Sequence, residues 1–235
     1  MDSCNTTSTS SLMFEVNNLS KRFVVGSSIH QVISDISFSV NTAEITALVG
    51  PSGAGKSTLL SILCGLESPD DGEVKYLGRS LVEMRAETLA TLRNSEFGFI
   101  FQSPFYLPYK SVLENVLLAG SYAEQSIEQL RADATELLAN VGLETHLHKS
   151  PALLSGGEQQ RMAFARAMLL KPNVIFADEP TASLDEENSN NLLSLLSEQV
   201  KIGRSVILVS HDKEAIQWAD TTLVLSDKGK SICER

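Results

Sequence analysis

The run Gly50-Pro-Ser-Gly-Ala-Gly-Lys-Ser-Thr58 is the first stretch of this 235-residue sequence whose residue types and spacing can do chemistry. It satisfies GxxxxGK[ST] between an apolar strand, Ile45 to Val49, and a helix expected from Lys56 to Leu66, the setting in which this pattern binds a polyphosphate. Gly50, Gly53 and Gly55 let the backbone wrap close to phosphate oxygens, so that amide N–H groups and the helix N-terminus face the anion. Ser52 and Ala54 complete the cradle, while Pro51 has no N–H and cannot donate. Lys56 reaches the β- and γ-phosphates, Ser57 offers its hydroxyl to Mg2+, and Thr58 adds a donor near the α-phosphate. The nucleotide is read as ATP.

Asn173-Val-Ile-Phe-Ala-Asp-Glu-Pro180 places four apolar residues ahead of two carboxylates. A buried strand of this kind delivers its acids to the carboxyl edge of a sheet, where the ligands of open α/β folds sit. Beside a phosphate loop, Asp178 would hold Mg2+ through water. Glu179 would accept a hydrogen bond from the attacking water and act as general base.

Leu154-Ser-Gly-Gly-Glu-Gln-Gln-Arg161 opens a helix that continues through Met162, Ala165 and Met168. The glycine pair and the Ser155 hydroxyl make a second anion-binding helix N-terminus. Two such ends cannot easily reach one nucleotide from within one small domain, and two copies paired head to tail answer that difficulty.

From here the sequence, from about residue 12 onward, resembles the ABC ATPases. In that family the serine, glycines and following residue, here Ser155, Gly156, Gly157 and Glu158, contact the γ-phosphate held by the opposite subunit. The resemblance implies further roles in chain order. Phe23, in Leu-Ser-Lys-Arg-Phe, matches the aromatic that stacks on adenine. Gln102, after the strand Phe97 to Phe101, matches the glutamine that links Mg2+ and the water to the transporter contact. Ser183-Leu-Asp185 matches the loop that crosses to the other site, and His211 matches the γ-phosphate switch histidine. Leu92 to Gln102 and Leu107 to Val116 look like the lipoprotein-release and macrolide-export ATPases, although Thr181-Ala-Ser-Leu-Asp185 departs from the Thr-Gly-Asn-Leu-Asp frequent in that subgroup.

The elements that must carry these residues alternate. Short strands are expected at Phe14 to Val16, Val32 to Val40, Ile45 to Val49, Glu73 to Tyr76, Phe97 to Phe101, Val174 to Ala177, Val206 to Val209 and Thr222 to Leu225. Helices are expected at Glu186 to Ile202 and Lys213 to Trp218, and helical spacing fills Ser111 to Gly142. The expected fold is α/β: a P-loop NTPase with a RecA-like core, an antiparallel β edge and an inserted α-helical subdomain. Residues 12–102 and 159–235 would form the core and 103–158 the helical subdomain. Residues 1–11, with the run Asn5 to Ser11, read as a disordered tail.

Composition narrows the partners. A net charge of −10 opposes broad attraction to nucleic acid or anionic lipid. No apolar run approaches the roughly 20 residues of a membrane-spanning helix. Cys4, Cys64 and Cys233 lack CxxC spacing and fit a reducing compartment. His146 and His148 share an i, i+2 spacing without a third ligand and make a poor metal site. The resemblance then implies an ATPase subunit on the cytoplasmic face of the inner membrane, paired with a second cassette as a homodimer. It would power a separate transmembrane permease in export, lipoprotein release or mechanotransmission and touch the membrane only through it. The Ser103 to Tyr109 segment beside Gln102 suits that contact. A regulatory cassette gating a membrane-bound cell-wall hydrolase or signalling partner would use the same residues.

Overall fold

The computed structural model describes residues 11–226 and 231–234. Positions 1–10 of the expected tail lie outside the described residues; Ser11 is tied down, its Oγ 2.8 Å from Thr42 Oγ1.

Two sheets form. The first is antiparallel, in the order β2 (Ser28–Asn41), β1 (Leu12–Val25), β4 (Asp71–Tyr76) and β5 (Arg79–Ser80). Its two long strands extend well beyond the segments that alternation marks, because the ladder between them is bulged. At the bulge Asn18 and Asp35 both adopt positive φ, and the Asn18 Nδ2 donates to Asp35 Oδ1 at 2.9 Å, so side chains replace ladder bonds. The second sheet runs β10 (Ser231–Glu234), β9 (Thr221–Leu225), β3 (Ile45–Val49), β8 (Ser205–Val209), β7 (Val174–Asp178), β6 (Phe97–Phe101), parallel except for β10.

That parallel sheet divides two cores, as the period of two in a strand requires. Val174, Phe176, Ile207 and Val209 face the first sheet and helix α1 (Lys56–Leu63). Ile175, Ala177, Val206 and Leu208 face α3 (Val112–Leu117), α4 (Ile127–Asn140), α5 (Gly156–Met168) and α6 (Glu186–Lys201). Phe14, Tyr76, Phe97 and Phe176 interlock on the first side with ring centroids 5.1–6.3 Å apart.

Helix α1 ends a turn earlier than expected. Gly65 takes φ +66°, its N–H donates to Ile62 O, and the N–H of Leu66 donates back to Ser61 O at 2.8 Å, the paired bonds that close a helix on a left-handed glycine. The helical stretch from Ser111 to Gly142 resolves into two helices, each capped by a serine: Ser111 Oγ accepts from Glu114 N and Ser126 Oγ accepts from Gln129 N. Helix α2 (Ala86–Glu96) has no counterpart among the sequence expectations, and α7 (Lys213–Ile216) is shorter than expected. Helix α5 runs unbroken across residues 158 and 159.

Candidate functional site

Four adjacent parallel strands end on one edge and bring the chemistry together. β3 runs into Gly50, β8 into Ser210 and His211, β7 into Asp178 and Glu179, and β6 into Gln102. The register aligns them, with Leu48 and Asp178 both paired to Val209 and Phe101 to Asp178.

The phosphate loop is shaped by close approach. A Cβ at Gly50, whose φ is +152°, would stand 2.3 Å from the carbonyl oxygen of Leu225 at the end of β9, so only glycine fits. At Gly55, with φ +95°, a Cβ would press on Val32 of β2 at 3.0 Å, which shows that the antiparallel sheet flanks the loop. Lys56 Nζ donates to the carbonyls of Gly50 and Pro51 at 2.8 and 3.0 Å, folding the ammonium over the loop. Pro51, Ser52, Gly53 and Ser57 are exposed, Gly50, Gly55 and Thr58 half-buried, and Ala54 buried. Phe23 lies two residues along the hairpin from Val32, paired with His30, its ring exposed and 5.2 Å from Lys21 Nζ.

The two acids differ in surroundings. Burial pushes the Asp178 carboxyl above its ordinary pKa; the neighbouring Glu179 charge adds to the rise, while the Ser57 hydroxyl and Lys56 oppose it. The half-buried Asp178 carboxylate and the Ser57 hydroxyl form a hard-oxygen donor set that suits Mg2+, and a cation would relieve the burial cost. The residues therefore fit the metal. Glu179 holds its backbone at φ +48°, a left-handed conformation uncommon for a side-chain-bearing residue, with its N–H bonded to Val209 O at 2.9 Å. Its Oε1 lies 2.8 Å from Nδ1 of His211, which is otherwise exposed. That pairing is invisible in the sequence.

The Ser155 end of α5 is a closed capping box. Glu158 Oε2 accepts from the Ser155 N–H at 2.7 Å and from its hydroxyl at 2.8 Å, and the Glu158 N–H returns to Ser155 Oγ. These donors hold the Glu158 carboxyl below its ordinary pKa. Gly157 packs on Asn188: a Cβ there would meet Asn188 Oδ1 at 2.2 Å. Asn188 in turn donates to both carboxylate oxygens of Asp185 at 2.9 Å and accepts from Arg161 at 3.0 Å. The Ser155 helix end and the 183–185 loop are thus one packed unit. Asn188 and Gln160 escape sequence reasoning as site residues, although Gln160 stands inside the 154–161 motif and Asn188 three residues after Asp185.

Beside Gln102, an apolar groove of about 650 Å3 opens between β6, α2 and the helices, walled by Phe99, Phe101, Phe105, Leu118 and Tyr122. Phe105 is 71% and Tyr122 89% exposed. Tyr106 turns inward against the helical core, and Tyr109 is exposed. His146 faces Glu158 at 3.6 Å and bonds Thr145, and His148 is exposed. Among the described residues no helix is long and apolar enough to cross a membrane.

A phosphate loop and paired acids on neighbouring strand ends, with a second glycine-led helix end locked to the 183–185 loop, define an ATP-binding cassette. The chain belongs to the ABC transporter family, whose model matches residues 33–182, and it is an ATPase. It is 42% identical over 213 residues to HrtA of Staphylococcus epidermidis, named a hemin import ATP-binding protein, covering 90% of this chain and 96% of that one. It is 38% identical over 226 residues to the macrolide export ATP-binding/permease protein MacB of Pectobacterium atrosepticum, covering 96% of this chain and 35% of that one. The fold matches the cassette MJ0796, solved as a dimer in a post-hydrolysis state with ADP and Pi, at TM-score 0.87 and 31% identity over 95% of this chain and 98% of that chain.

Proposed function

We propose that this chain is the ATP-hydrolysing subunit of a transporter and drives a separate membrane permease from the cytoplasmic face. Two copies would close on two nucleotides, as the dimeric state of the MJ0796 cassette supports. The relatives' names differ in cargo and direction, one hemin import and one macrolide export, and what they share is ATP binding in the service of transport. The 38% identity to MacB over 96% of this chain supports the export or mechanotransmission branch, beside the import named for HrtA.

In this reading Lys56 and the loop from Gly50 to Thr58 bind the β- and γ-phosphates, with Phe23 against the adenine. Ser57, Asp178 and Gln102 would hold Mg2+, which neutralises charge between the phosphates. Glu179 draws the proton from the attacking water, with His211 holding its carboxylate and facing the γ-phosphate. Ser155, Gly156, Gly157 and Glu158 close on the partner subunit's nucleotide, with Asp185 beside them. Residues 12–102 and 159–235 act as the core and 103–158 as the helical subdomain, bridged by α5.

The observation that carries the permease reading is the aromatic groove beside Gln102. Exposed Phe101, Phe105 and Tyr122 around one concavity form an apolar patch that a monomer has no reason to keep. An amphipathic helix from the cytoplasmic side of a permease fills such a groove. Photo-crosslinkers at positions 105 and 122 should capture a polytopic membrane protein through a cytoplasmic segment. Capture of soluble proteins alone would defeat the permease reading.

A further inference from the structure

Gln160 is 1% exposed, and its Nε2 donates to three backbone carbonyls, those of Phe101, Gln102 and Pro180, each at 3.0 Å. Two N–H bonds thus serve three acceptors, while its Oε1 is buried without a hydrogen-bond partner. A buried polar group left half satisfied needs a reason, since burial charges for the orphaned oxygen. The three acceptors supply one. Two of them are the last residue of β6 and Gln102, and the third follows Glu179, so one side chain on α5 grips both strand ends at the catalytic edge.

The rest of the loop after Gln102 is held from the same side. Arg166 of α5 donates to the Phe105 carbonyl, and Asn115 of α3 receives the Leu107 N–H at 2.7 Å and donates to the Leu107 carbonyl at 3.1 Å. The Gln102 loop therefore rides on α5. Ser155 is the N-cap of that same helix, and its proposed ligand is the other subunit's nucleotide.

We propose that Gln160 is a positioning residue that couples the two ATP sites: seating of Ser155 on the partner's nucleotide shifts α5, and the Gln160 carboxamide carries that shift to Gln102 and the Glu179–Pro180 turn of its own site. This rests on the roles assigned to Ser155, Gln102 and Glu179; ATP-dependent dimerisation of Glu179→Gln tests the closure and the Glu179 role separately.

Gln160→Met keeps the volume and removes the donors. In the full chain, KM for ATP should stay within about threefold. Turnover should fall roughly 10²-fold, the scale of a misplacement of about 1 Å at a reacting centre. The Hill coefficient should drop toward one. Unchanged turnover and cooperativity, or KM and kcat worsening together, would overturn the coupling. Hydrogen exchange on the wild-type chain gives an arm independent of any variant: adding Mg-ATP should protect amides of 101–105, 156–164 and 179–182 together. Protection of 156–164 without 101–105 would also overturn it.

Discussion

Glu179 Oε1 and His211 Nδ1 stand 2.8 Å apart, joining the ends of neighbouring strands β7 and β8 across 32 positions of sequence. The bond fixes where the carboxylate points, and the left-handed backbone at Glu179 fixes where it starts.

Glu179→Gln keeps the size and a hydrogen bond to His211 but removes the proton acceptor. Turnover should fall about 10²- to 10⁴-fold, the usual worth of a general base, while nucleotide binding survives. With Mg-ATP the variant should run as a closed dimer on gel filtration. Hydrolysis within threefold of wild type, together with a monomeric elution, would make Glu179 a structural carboxylate.

Lys56→Ala removes the cation whose Nζ lies over the Gly50 and Pro51 carbonyls. ATP binding measured by calorimetry should vanish with the fold intact by circular dichroism. Micromolar affinity in the variant would contradict the phosphate-loop assignment.

Gly157→Ala forces a methyl group onto Asn188, which Asp185 and Arg161 hold in place. Overpacking of this kind costs about 1–3 kcal/mol. Most of it should return in Gly157→Ala/Asn188→Ala, giving a coupling energy in a double-mutant cycle of chemical denaturation. Strictly additive single effects would mean that the two residues do not share the load.

Acid should open the Ser155 cap. The Glu158 carboxyl titrates below its ordinary 4.5 in the folded chain, so the folded state favours its charged form. Its contribution is complete above the unfolded value and lost as pH falls through the lower folded value. Melting temperatures of wild type and Glu158→Gln should therefore differ at neutral pH, and the gap should narrow as pH falls below the ordinary carboxylate range. A gap that is constant across that range would show that the charge on Glu158 plays no part.

The strands ending at the catalytic edge were legible because β3, β7 and β8 are buried on both faces and read as continuous apolar runs. Helix α2 was not, since Leu92 is its one buried residue and Arg85 offers no side-chain cap. The bulge at Asn18 broke the alternation that would have marked the full length of β1. Gln160 was illegible for another reason. Its partners are backbone carbonyls 20 to 59 positions away, and a carbonyl has no letter in the sequence.

β3 carries the phosphate loop, yet both of its neighbours, β8 and β9, are made late, starting at Ser205 and Thr221. Gly50 itself leans on the Leu225 carbonyl. On the ribosome β3 thus emerges well before both strands that pair with it, a long-range closure that is intrinsically slow. The loop keeps its shape only with β8 and β9 closed on β3, so a nucleotide that binds this folded arrangement alone favours it over partly folded intermediates.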